Sequence, residues 1–160
     1  MTDPYFQESI FLRDVWNNLN KECFNSKLNE LDHIGWGSEM ENHYYGVYFP
    51  ILHGKSLIGI SKQFLPAEEA NTKLHSIKQR DDLSKDEKLD LAMETENSSL
   101  IVIVQKIVAH EMIHQASFEN KDSHTSHGEP FLRHCAGVAD YFKLDLPDGR
   151  TAARWPHINA

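Results

Sequence analysis

The chain has 160 residues, of which 40% are hydrophobic, and its 24 acidic side chains outnumber 16 basic ones for a net charge of −8 with histidine neutral. That size and apolar content suit one compact domain, residues 1–160, and leave no room for two. The acidic balance argues against broad attraction to nucleic acid, which relies on Lys and Arg neutralising phosphates, and no stretch is long and apolar enough to span a bilayer.

The first residues lack a basic start followed by a long apolar run, so no signal peptide is expected. Cys23 and Cys135 stand apart and outside any C-x-x-C pattern, as a reducing compartment permits. A soluble, cytoplasmic protein is the expectation. In chain order, residues 4 to 24 read as an amphipathic helix, with Phe6, Ile10, Phe11, Val15, Trp16, Leu19 and Cys23 at three- and four-residue steps. Asn25 and Ser26 break the pattern. A loop from Leu28 then leads into a strand near Trp36, whose ring is expected to pack on a sheet. Tyr44 to Phe49 and Ser56 to Ser61 read as further strands joined around Pro50 and Gly54, giving a sheet of three or so. Either strand can bind an extended peptide by strand addition if it lies at the edge. His33, His43, His53 and His75 lack ligand spacing and read as structural or exposed.

Between residues 66 and 97 the composition turns to Lys, Glu, Asp and Gln. A helix is expected to start at Ser84, with Leu89, Leu91 and Met93 on a modest apolar side. The segment reads as a charged insertion, either a solvated helical excursion or a lid over a cleft.

Ser99 to Phe118 is the stretch around which the rest is organised. Leu100 to Val104 and Ile107 are apolar nearly all round, which predicts a buried helix. Into it are set His110, Glu111 and His114, the pattern H-E-x-x-H. Residues four apart share a helix face, so both imidazoles can bind one zinc ion, while Glu111 reaches the water to be activated. A third ligand must come from elsewhere. The longer metzincin pattern is broken by Ser117 and Asn120, but Ser126 and Glu129 form a capping box that puts His127 in the first turn of a following helix. Gly128 beside it permits close backbone approach. His127 is the expected third ligand, with His124, His134 and Asp140 as competitors. Pro130 to Phe142 reads as one helix packing through Phe131, Cys135, Val138 and Phe142, and residues 144–160 as a tail with a turn at Pro147 to Gly149. Arg150, Arg154, Trp155 and His157 in that tail are thin grounds for a nucleic-acid contact.

The order H-E-M-I-H, a loop of about a dozen residues, then H-G-x-x-F resembles the SprT-like metalloprotease domain found in bacterial SprT and in Spartan, the protease for DNA–protein crosslinks. Phe24 to Leu28, Trp36, Met40, Gly46 and Ile58 to Ser61 fall in the order that family shows. The resemblance spans roughly residues 10 to 143. It implies an α+β, zincin-like fold with a small, mainly antiparallel sheet and a buried metal helix. It further implies zinc held by His110, His114 and His127, Glu111 as catalytic base, and a protein or peptide substrate. The chain departs from the family in lacking C-terminal cysteine pairs for a zinc ribbon and an evident basic DNA-binding region, which puts a role on DNA-bound or crosslinked proteins in doubt. Tyr141, His134 and Arg133 are unranked candidates to stabilise an oxyanion. A non-catalytic adaptor, held together by structural zinc and binding a protein partner, is the alternative.

Overall fold

A strand, not a helix, begins the described chain. The structure is a computed structural model that describes residues 6–37, 45–52, 54–96, 100–122 and 129–143. Strand β1 (Phe6–Glu8) pairs antiparallel with β2 (His33–Gly37). The helix expected from residue 4 starts only at Ile10, as α1 (Ile10–Phe24). Ser9 explains the difference: it is extended, at φ −130° and ψ 123°, and its Oγ accepts the Leu12 N–H, the geometry of an N-cap. Ile10, expected on the buried stripe, is 80% exposed, and Phe11, Leu12, Val15, Trp16 and Leu19 make the core face instead. Asn25 ends α1 in the left-handed region at φ 53°, its N–H returning to Asn20 O.

The sheet runs β1-β2-β4-β3, with β3 at Gly46–Leu52 and β4 at Lys55–Ser61. It is mixed: β2 and β4 pair in parallel, and β3 returns antiparallel on β4 through a turn with Gly54 at φ 80°. Among the described residues there are four strands rather than three because residues 6–8, expected to be helical, supply one. Pro50 lies inside β3 instead of in the turn, where the register slips between Phe49 and Leu52. An edge strand tolerates it, since a missing N–H there breaks no interior ladder. Trp36 is buried as expected and faces Phe11 at 6.5 Å between ring centroids.

The charged insertion folds into α2 (Pro66–Lys78) and α3 (Lys85–Glu96). Helix α3 starts where expected: Ser84 Oγ accepts from Glu87 N–H (3.1 Å) while Glu87 Oε1 accepts from Ser84 N–H (3.2 Å). Leu89 is nonetheless 58% exposed. Helix α2 is more than a solvated excursion, for it buries Ala67, Leu74 and Ile77 and packs on the long helix that follows α3.

That helix, α4 (Leu100–Glu119), is buried at every position from Ile107 to Ser117. Helices α1 and α2 and strands β3 and β4 surround it. The helix expected over residues 130–142 is two, α5 (Glu129–Arg133) and α6 (Ala136–Phe142). His134 N–H and Cys135 N–H bond three residues back, to Phe131 O and Leu132 O, and this tightened turn divides them. The packing stripe survives the break, with Phe131, Cys135 and Val138 buried. Helix α6 lies so close to α1 that a methyl on Gly137 would stand 2.2 Å from Cys23 O.

The molecule is thus α+β, with six α-helices and one small mixed sheet among the described residues. No helix of the described residues is long and apolar enough to cross a membrane. Met40, His43, His53, His124, Ser126, His127, Gly128 and the tail from residue 144, with Arg150, Arg154, Trp155 and His157, lie outside the described residues.

Candidate metal centre

Helix α4 is long enough to carry an apolar first half that anchors it and a second half that presents chemistry. His110 and His114 are one turn apart and 3% and 8% exposed, their rings meeting edge-on with centroids 5.1 Å apart. Glu111 is 7% exposed beside them. The potential ligand atoms of these three residues all lie within 4.8 Å of one another. Two nitrogens on a tetrahedral zinc stand about 3.4 Å apart for bonds of about 2.1 Å, so small rotamer adjustments bring the imidazoles to one ion. The Nδ1 atoms of both histidines are fully buried.

Electrostatics agree with the geometry. Burial alone pushes the Glu111 carboxyl up to about 8. Among the described residues, then, the site has a carboxyl withdrawn from water and no cation to offset it. A divalent ion would supply that charge, and with two imidazoles beside it the donor set suits zinc. His134 and Asp140, the competing third ligands among the described residues, do not join the group.

Two supports of the site escaped sequence reasoning. The first is Phe131 of α5, 0% exposed, whose ring centroid stands 5.0 Å from those of both His110 and His114. Phe131 braces both imidazoles from one side, and the apolar stripe flagged it only as core. The second is a closed polar network one residue beyond His114. Gln115, 1% exposed, accepts from Trp16 Nε1 (3.0 Å) and donates from Nε2 to Asn29 O (2.8 Å) and Glu119 Oε2 (2.7 Å). Glu119 Oε1 accepts in turn from Asn29 N–H (2.8 Å). The network ties the last turns of α4 to α1 and to the loop before β2, fixing the rotation of α4 about its axis. A glutamine directly after His114, in the stretch expected to be buried, was the available signal, because buried amides need partners.

Two of the three oxyanion candidates are engaged elsewhere. Tyr141 accepts from Asn18 Nδ2 (3.3 Å) against α1, and Arg133 pairs with Asp122 (3.4 Å). His134 lines a cavity of about 310 Å³ with Cys23, Lys27 and Glu119, and neither His110 nor His114 lines it. Burial holds the His134 imidazole below its ordinary range, with Asp122 pulling the other way. His33 is structural, its Nδ1 2.9 Å from Glu8 Oε2, and His75 is exposed. Cys23 and Cys135 are free thiols.

No family model matches the chain, and no curated protein and no solved structure matches it.

Proposed function

We propose that the protein is a zinc-dependent peptidase of SprT-like type with a zincin-like fold. The observation that carries this reading is the buried convergence of His110, Glu111 and His114 within 4.8 Å on one helix. Its order, His-Glu-x-x-His, is the one that pairs two metal ligands with a general base. His110 and His114 would hold the ion, with His127 as third ligand. The chain returns to both histidine rings at Phe131. His127 precedes that residue by four positions, roughly 14 Å of extended chain at most.

When bound, zinc supplies a Lewis acid that acidifies water and polarises the substrate carbonyl. Glu111 takes the proton of the attacking water and delivers it to the leaving amine. His110 and His114, braced by Phe131, keep their ring orientations fixed during this transfer. Strand β3, at the edge of the sheet among the described residues and packed on α4, would receive an extended peptide by strand addition. Two free thiols fit a reducing, cytoplasmic setting. The net charge of −8 favours a protein substrate over a role that begins with nucleic acid.

The test is cleavage of a loosely folded basic protein by the zinc-loaded wild type, Glu111→Gln and His127→Ala, each with and without single-stranded DNA. Glu111→Gln is expected to keep its zinc and lose about 10²- to 10⁴-fold in turnover, the usual weight of a general base. His127→Ala is expected to lose zinc. Cleavage that depends on DNA would add the crosslink-directed role. Zinc bound tightly with no cleavage in any arm would replace the peptidase by a zinc-held adaptor for a protein partner.

A further inference from the structure

Strand β3 comes unusually near the proposed base. Gly46 is its first residue and pairs with Ile60 of β4. A methyl built on Gly46 would stand 3.1 Å from Cγ of Glu111, 2.8 Å from Cγ2 of Ile107 and 3.3 Å from Cδ1 of Ile60. These contacts are tighter than carbon atoms tolerate without a shift, so the backbone of β3 rests on the stem of Glu111 with no side chain between them. Ile107 lies one turn before Glu111 on α4 and is 1% exposed, and Ile60 is 0% exposed, so neither can retreat into open space. Glu111 is itself only 7% exposed, but its unbranched stem has more rotatable bonds, and at this contact it is the partner that gives. The absence of a side chain at Gly46 therefore bears directly on where the Glu111 carboxyl sits.

We propose that Gly46 is a positioning residue for Glu111: its bare backbone forms the wall against which the stem of the general base is set. The proposal rests on the peptidase reading for its consequence in catalysis, but the contact itself does not. Other glycines of the fold have different duties. Gly54 supplies a left-handed turn, and Gly35 lies where a methyl would meet backbone, 2.1 Å from Gln7 O. Gly46 alone among those described glycines presses on Glu111. A methyl there would crowd Ile107 and the stem of Glu111 together and displace the carboxyl by a few tenths of an ångström.

The experiment compares wild type, Gly46→Ala and Gly46→Ala combined with Ile107→Ala, which removes the Ile107 methyl nearest the new one. Two readouts are taken. The first is the side-chain carboxyl ¹³C resonance of Glu111 in the metal-free protein at one fixed pH, assigned by its loss in Glu111→Gln. The second is steady-state hydrolysis by the zinc-loaded forms at equal zinc content. The proposal expects the Glu111 resonance to move in every folded Gly46→Ala form, and kcat to fall about 10-fold or more with KM within about twofold of wild type, as misplacement of a reacting group does. An unmoved resonance in a folded Gly46→Ala form overturns it, as does a loss confined to KM. Failure of both variants to fold assigns Gly46 to sheet packing and overturns it as well. If the wild type hydrolyses nothing, the peptidase reading fails while the resonance still decides the contact.

Discussion

Glu111 is a carboxyl that folding removes from water, and its titration carries a thermodynamic signature. Its ordinary value is 4.5, and burial raises it to about 8 in the metal-free protein. Across that window the folded chain holds a proton that the unfolded chain has released. The stability that this carboxyl contributes is therefore fully present below about 4.5 and is lost as pH rises through about 8. Urea denaturation of the metal-free protein over this range is expected to show that decline, and Glu111→Gln is expected to flatten it. Gln115 makes a different claim at the same scale. Replacing it by leucine, of similar size, would strand Trp16 Nε1 and withdraw one donor from Glu119. Buried polar groups left in this way cost about 1–3 kcal/mol, so Gln115→Leu is expected to lower the urea midpoint by a corresponding amount. Tyr48 adds to the polar surroundings, its phenol pushed up by burial and then by Glu119, and it stays protonated throughout.

At the scale of elements, Ser84 offers the most local test. Ser84 and Glu87 cap each other at the start of α3, and losing such a cap costs about 0.5–2 kcal/mol. Ser84→Ala is expected to speed amide exchange in α3 while leaving zinc affinity unchanged, measured by hydrogen exchange and by metal titration. This helix start was legible in the sequence because a cap is a contact between near neighbours. Helix α4 was legible for a related reason: its apolar run and the four-residue spacing of His110 and His114 are properties of one continuous segment. What could not be read depended on distant partners. Residues 6–8, Phe-Gln-Glu, are compatible with either structure, and only the approach of β2, more than twenty positions on, makes them a strand. The parallel pairing of β2 with β4 is likewise settled by tertiary packing, because sequence period reports which face is buried and not which neighbour lies alongside. The split between α5 and α6 escaped because the stripe Phe131, Cys135 and Val138 keeps its spacing across the tightened turn. Gly46 shows the limit most clearly, since its near contact with Glu111 joins positions sixty-five residues apart.

The whole molecule assembles around α4, with α1 and α2 on one set of contacts and the β3–β4 hairpin on another. An ion held by two histidines of that central helix is coupled to the stability of everything packed on it. A ligand that binds only the folded state stabilises it by about 2.7 kcal/mol at a hundredfold excess over its Kd. Zinc is therefore expected to raise Tm in a concentration-dependent way, and a chelator to reverse the gain. His110→Ala and His114→Ala are each expected to abolish most of it, as read by calorimetry. An unchanged Tm in wild-type protein at saturating zinc would place the ion, if bound at all, away from α4.

Pro50 has a consequence of another kind. The outer margin of β3 carries Phe49 and Ile51, 37% and 72% exposed, and an apolar margin of this sort invites molecules to stack on one another. Proline between them offers no N–H and sits where the strand slips its register. A second chain zipping along this margin would lose its ladder after a few residues, whereas a short peptide lying over the first half of β3, near Gly46, would not reach the interruption. The same residue would thus work against edge-to-edge association of copies of the chain without interrupting the first half of the strand.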